Sequence, residues 1–493
     1  MTKSPQLKKQ KVKKQLILSA ATVGTSSNNW RNPTDQSREF SHSLEPWIEF
    51  AKLAEKAKFH NIFFVDHLSW YDVYGGEYKT AAKHGVNATR IDPAAPVLAI
   101  ASHTKNVGIA VTFSTVSEHP YHFARRLASL DLLSGGRIAW NIVSSYLPSL
   151  GKNLLNGGPL PEHDERYVKT TEYLDTVYEL LLSSWRDDAV VYDKERGVFA
   201  EPEAIREINH VGKYFNVKGP AITEPSPQRF PLIAQAGTSS KGIDFAAENA
   251  ELVFVNLHKA EHTTKSIAKI RKVAHEKYGR DPYSIKFIAP LTPITGKTHE
   301  EAQAKFDEYN KYEDPIDSLV YFGGVSGIDV SGFGFDEPVV FEGKSNGITS
   351  ATDNTLYKPD GSRRTPREIS EMWRGGTTVF GTGKEIAEYI QNLVEATDID
   401  GINFGFRDFP GGFKDAVDYL VPELQKLGLA QTEYAVPGGT LRENFYGEKG
   451  HTYFPESHPA YNLRWEKGVS KEQFEKNLKD YVVKRNQKRE AEI

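Results

Sequence analysis

Asp66, Thr112, Asn141, His163, Tyr167, Ser239 and Ser240 are the side chains of this sequence whose types and settings suit ligand chemistry. Asp66 ends an apolar run at 61–66 (NIFFVD). A carboxylate at a strand end either faces a ligand or caps the next segment. Thr112 and Asn141 lie near the ends of two more apolar runs, 109–114 and 138–144, which close in small polar residues. The carboxyl ends of parallel strands are where α/β proteins bind ligands. His163 and Tyr167 stand four apart at the start of a helical pattern, on one face of it. They either reach a ligand or form a solvated first turn with Tyr167 tucked into the core. Gly237-Thr238-Ser239-Ser240-Lys241-Gly242 follows a strand-like run and opens another helix. Hydroxyls, free backbone N–H groups and the positive end of a helix dipole suit a phosphate there, with an ordinary serine N-cap as the alternative. Phosphate sites in barrels more often follow strands seven and eight than strand five.

Other motifs fail on inspection. His258-Lys259-Ala260-Glu261-His262 matches an inverted zinc-hydrolase spacing, but no third ligand or long host helix accompanies it. Gly296-Lys297-Thr298 and Gly343-Lys344-Ser345 end like phosphate-binding loops, yet Leu291 and Pro338 stand where the first glycine belongs. No dinucleotide fingerprint follows an N-terminal strand, and Ser239 misses the serine-nucleophile elbow by one residue. The chain has 0 cysteines, which removes thiolate catalysis, disulfides and cysteine-ligated metals.

Those residues need a frame to bring them together. Strand-like runs fall at 15–23, 61–66, 107–114, 138–144, 231–237, 252–256, 284–290 and 401–406. Helical patterns lie between them, among them 44–58, 165–185, 259–278, 384–395 and 413–426, and one opened by Pro120 and closed by Gly135-Gly136. Strands alternating with helices predict a (β/α)8 TIM barrel, α/β in class, with insertions near 186–230 and 310–376. A doubly wound open sheet has the same periodicity. Residues 1–14 read as a disordered basic tail, 15–447 as the barrel domain, and 448–493 as a C-terminal extension with a polar helix near 470–488. The chain is 493 residues long, with a net charge of −4 from 61 basic and 65 acidic residues, which argues against nucleic acid as a partner. No apolar run reaches the ~20 residues of a membrane span. Without cysteines or a secretory leader, a cytoplasmic location is expected.

Several stretches together resemble one family. LASLDLLSGGRIAWNIVSS, EHDERY, FPLIAQAGTSSKGIDFAAENAE, SGIDVSGFGFDEP and GGTLREN are similar to the nitrilotriacetate and dibenzothiophene-sulfone monooxygenases, a group of the bacterial luciferase-like flavin monooxygenases. The resemblance runs from about 15 to about 447 and includes both insertions. It implies a two-component enzyme that takes FMN as FMNH2 from a separate NAD(P)H-dependent flavin reductase. It would react with O2 through a C4a-peroxyflavin and oxygenate a small organic substrate. A homo-oligomer, dimer or tetramer, is implied as well. By position, Asp66 would lie near the flavin ring, and Thr112 and Asn141 at its polar edge. His163 and Tyr167 would approach the ribityl chain or phosphate, and Ser239 with the Ser240 backbone would hold the phosphate. The excursion at 310–345 would be a mobile lid. Phe63, Phe64, Trp140 and Phe404 would form an apolar floor under the ring or simply fill the barrel core. Where the resemblance implies a histidine after the first strand, Ser26, Ser27 and Asn28 stand, so no acid or base is assigned. Few basic residues occupy the expected strand ends, which argues against a polyanionic substrate. A flavin-binding barrel without oxygenase activity, and a metal-dependent barrel hydrolase built on His258 and His262, are the alternatives.

Overall fold

Parallel strands form the barrel: β1 (Ile17–Thr22), β2 (Asn61–Phe64), β3 (Gly108–Ser114), β4 (Ile138–Val143), β5 (Leu232–Gln235), β6 (Leu252–Phe254), β7 (Lys286–Gly296) and β8 (Gly401–Phe404). Each strand pairs with the next in chain order, and β8 pairs back with β1, so the ring closes. The computed structural model describes residues 14–22, 30–237, 239–257, 259–341, 347 and 355–491. The eight runs read from the sequence are these eight strands. β7 runs further than the sequence suggests, because Thr378–Thr382 adds a parallel strand along its distal half.

Alternation with a period of two decides where each barrel side chain points. On β3, Ile109, Val111 and Phe113 pack in the shell between strands and helices, while Ala110 joins the barrel interior. On β4, Ile138, Trp140 and Ile142 face the shell, and Ala139 faces the interior. Thr112 and Asn141 continue the inward series and lie opposite one another in the ladder. The same alternation corrects the expected floor. Phe64, Trp140 and Phe404 belong to the outer shell, and Phe63 alone of the four turns inward, against Phe254 at 4.6 Å between ring centroids.

The main helices are α1 (Glu45–Lys56), α2 (Pro120–Ser134), α3 (His163–Tyr178), α4 (Ser240–Asn249), α5 (Ala260–Glu276), α6 (Pro315–Ser326), α7 (Pro366–Gly375), α8 (Gly383–Thr397), α9 (Leu441–Tyr446) and α10 (Lys471–Glu490). Pro120 at the first turn and left-handed Gly135 (φ 69°) bound α2. The segment 186–230 holds two short hairpins. The segment 310–376 holds α6 and α7, which share a small core of Leu319, Phe322, Ile328 and Ile369. Gly323 and Gly324 belong to the segment read as an excursion. In the fold they lie inside α6, where a Cβ on Gly324 would come within 2.4 Å of the Tyr71 ring. The glycine serves a close approach there.

The GGTLREN stretch closes the amino-terminal end of the barrel. Thr440 and Glu443 form a capping box on α9. Leu441 and Phe445 enter the interior cluster, and a Cβ on Gly108 would strike Leu441 at 2.4 Å. Arg442 donates to both Glu251 oxygens at 2.8 and 2.9 Å, and both side chains are 0% exposed. Along α10, Arg485 and Arg489 donate to Asp175 of α3 and Glu248 of α4.

Candidate active site

At the carboxyl ends of the strands lies a cavity of about 350 Å³. Asp66, Thr112, Asn141, His163, Tyr167 and Ser239 all line it. They come from the ends of β2, β3 and β4, the first turn of α3 and the N-cap of α4, and are separated by up to 173 positions in sequence. Ser240 does not line the cavity; it is the exposed first residue of α4. His258 falls outside the described residues, and His262 is exposed on α5. Ser26, Ser27 and Asn28 also fall outside them.

The paired strands set the polar edge of the cavity. Asn141 Nδ2 donates to Thr112 Oγ1 at 3.0 Å, which leaves Asn141 Oδ1 buried without a partner. Gln235, the last residue of β5, likewise lines the cavity with a buried, unpartnered Oε1. Leaving such an acceptor unsatisfied costs about 1–3 kcal/mol. Two such acceptors lining one cavity suit a ligand that brings N–H or O–H donors. The sequence reading missed Gln235, although a lone amide inside the apolar run PLIAQAG was its available signal.

The α4 end is shaped for close approach. Ser239 Oγ accepts from Gly242 N at 3.1 Å, so the N-cap reading is correct locally. Tyr167 shares hydrogen bonds with the Ser239 and Gln235 side chains, and burial raises its phenol. A Cβ on Gly237 or Gly242 would lie 2.8 or 2.9 Å from the Tyr167 hydroxyl. Glycine at both positions therefore keeps Tyr167 over the helix mouth. His163 Nδ1 contacts Asp164 at 2.8 Å, and its ring lies 5.1 Å from that of Tyr167. Arg166 also lines the cavity and donates to Pro161 O at 2.7 Å. The helix dipole, Ser239 and Arg166 make this the electropositive end.

Asp66 sits at the opposite end. Burial raises its carboxyl to about 6, opposed by the nearby Arg90 guanidinium. Burial lowers the neighbouring His67 to about 3, so its imidazole is neutral at physiological pH and Nε2 donates to Asn87 O at 3.0 Å. Phe63, Phe254 and Phe245 supply apolar wall. Tyr321 of α6 and Gly347 reach the cavity from the long insertion, which no local sequence signal could place there.

A salt-bridged node holds α6 over the mouth. Arg31 donates to both Asp317 oxygens at 2.7 and 3.2 Å, and His84 Nδ1 meets Asp317 at 2.8 Å. His84, Asp314 and Asp317 converge closely enough to suggest a metal, but Arg31 already supplies the positive charge to Asp317.

The fold agrees with what the chain matches. The model of the luciferase-like monooxygenase family matches residues 22–399. The chain belongs to that family. The long-chain alkane monooxygenase of Geobacillus thermodenitrificans (strain NG80-2) is 41% identical to it over 437 residues, 88% of this chain and 94% of that one. The dibenzothiophene-sulfone monooxygenase of Rhodococcus erythropolis, one of the group that the sequence resembles, is 33% identical over 441 residues, 87% of this chain and 95% of that one. A crystal structure of a riboflavin lyase with modified FMN and riboflavin superposes with a TM-score of 0.83 at 30% identity, covering 92% of this chain and all of that one. Among the described residues no helix is long and apolar enough to cross a membrane.

Proposed function

We propose that this chain is the oxygenase component of a two-component system. It takes FMNH2 from a separate NAD(P)H-dependent flavin reductase and transfers one atom of O2 to a small organic substrate. The observation that carries this reading is the cavity's polarity, with the orphaned buried acceptor of Asn141 at the β3–β4 wall and, at the α4 end, a serine-capped helix N-terminus with Tyr167 and Gln235 beside it. An isoalloxazine ring presents N–H donors, and a ribityl phosphate presents an anion, at just such a separation of chemistries.

Asn141 would accept from the ring's polar edge, with Thr112 fixing the Asn141 amide through its hydroxyl, and Gln235, bonded to Tyr167, would accept from the ribityl hydroxyls. Ser239, Tyr167 and the first backbone N–H groups of α4, including that of Ser240, would hold the phosphate. His163 and Arg166 would approach the ribityl chain. When bound, reduced flavin supplies two electrons and the oxygen-activating carbon. Asp66, beside the ring, would hold a proton up to about pH 6 because of its burial. The mouth under Tyr321 would exclude water, which otherwise diverts activated oxygen to hydrogen peroxide.

Titration with FMN and with photoreduced FMN under anaerobic conditions tests the reading. Tighter binding of the reduced form, followed by an absorbance transient on mixing with O2, is expected. Absence of FMNH2 binding would sink it. The likeness to a riboflavin lyase gives a second reading, in which the flavin itself is consumed; mass analysis of flavin recovered after turnover separates the two.

A further inference from the structure

Beside the flavin-sized cavity lies a second chamber of about 650 Å³, and the two share Asp66, His67 and Leu68 as their common wall. The first cavity, at about 350 Å³, is at the small end of ligand sites, and an FMN molecule takes up that room. A substrate that meets the ring must therefore come through other space, and the adjoining chamber is the space present. Its lining mixes apolar and polar surface, the latter including Asn87, Arg90, Ser114, Ser117 and Asn153.

Charge singles out one of these groups. Arg126 is compensated in place, with bonds to Glu118 and to both Asp92 oxygens. Arg90 forms no such pair among the described residues. Its two Nη atoms donate to neutral acceptors, Val65 O at 3.2 Å and Asn87 Oδ1 at 2.9 Å, and its Nε has no partner. Each Nη carries a second N–H. Asp66 lies near enough to feel the charge without bonding to it. A guanidinium lodged at a chamber wall, without a direct ion pair, is a recognition group for an oxygen acceptor.

Resting on the oxygenase reading, we propose that the second chamber is the substrate chamber, and that Arg90 selects small water-soluble molecules bearing a carboxylate or carbonyl oxygen. The oxidisable end would pass the Asp66–Leu68 wall to the flavin. One guanidinium suits a single such group, in keeping with the scarcity of bases at the strand ends. An unbranched alkane has nothing for it to hold.

Matched thioethers test this, because sulfur accepts oxygen readily. With O2 and FMNH2 the balance is thioether plus O2 plus FMNH2 giving sulfoxide, water and FMN; an S–O bond forms and the O–O bond breaks. Calorimetric titration of the full chain, with and without FMN, would compare 3-(methylthio)propanoate, its amide and methyl butyl sulfide. The acid or the amide should bind at least about tenfold tighter than the apolar sulfide, as one charge-assisted hydrogen bond allows. Arg90→Gln should remove that preference and leave FMN affinity unchanged, and Arg90→Lys should restore part of it. Equal binding of the apolar sulfide, or an Arg90→Gln protein that keeps the preference, overturns the proposal. If Arg90→Gln fails to fold, the wild-type ligand comparison decides alone. FMN titration and sulfoxide yield report separately on the oxygenase reading.

Discussion

Asp66→Asn turns the burial of one carboxylate into a measurable pH dependence. The folded protein raises this group from 3.8 to about 6. Between those values the native state keeps a proton that the unfolded chain has released. Native stability therefore falls as pH rises through the window, and the loss is complete above about 6. At about 1.4 kcal/mol for each tenfold change, ionised Asp66 costs the native state about 3 kcal/mol at neutral pH. The unfolding entropy of a chain this long is about 1 kcal/mol per degree, at about 2.1 cal/mol/K per residue, so the cost corresponds to about 3 °C. Differential scanning fluorimetry of both proteins from pH 4 to pH 8 would read it. The Asn variant should match wild type near pH 4, gain through pH 5–6, and stay about 3 °C higher from pH 7 upward. Subtracting the two curves cancels the titration of every other group. A difference that stays flat with pH would refute the buried-carboxylate account of Asp66.

Ser239→Asp should weaken FMN binding by roughly tenfold to a hundredfold, since it sets a second anion at the α4 N-terminus; flavin fluorescence titration reads the change. Glu251→Gln leaves Arg442 buried without its counter-charge. It should cost about 3–5 kcal/mol, seen as a lower thermal midpoint, with FMN affinity per folded molecule unaltered. Asp317→Asn removes the shared partner of Arg31 and His84. Faster amide exchange in α6 and more hydrogen peroxide per product are expected; unchanged exchange would show that α6 is held by its own core instead.

Much of this site is legible in the sequence because it is written in short-range rules. A period of two on 109–114 and 138–144 already places Thr112 and Asn141 on one face and Trp140 on the other, as the structure has them. That rule was available for Phe64 and Phe404 as well, and applying it would have removed both from the proposed floor. Ser239 could be read as a helix cap because capping depends on neighbours three residues apart. Gln235 left only a weak trace, one amide in an apolar strand. Arg90 left none, because its importance is that no carboxylate among the described residues bonds to it, and that is a property of packing.

The sequence by itself determined eight strands alternating with helices. Hydrophobic alternation, helix stops and the order of strands are local or topological properties, whereas closure is the pairing of β8 with β1. It also determined the chemical character of each strand end. Tertiary structure decided what those ends do together. The register of β3 against β4 joins Thr112 to Asn141 and leaves an acceptor open. The insertion carries Tyr321 back over the mouth, and the wall at Asp66, His67 and Leu68 divides the space into two chambers. These outcomes rest on contacts between residues far apart in the chain, whose side chains meet only after the ring has closed.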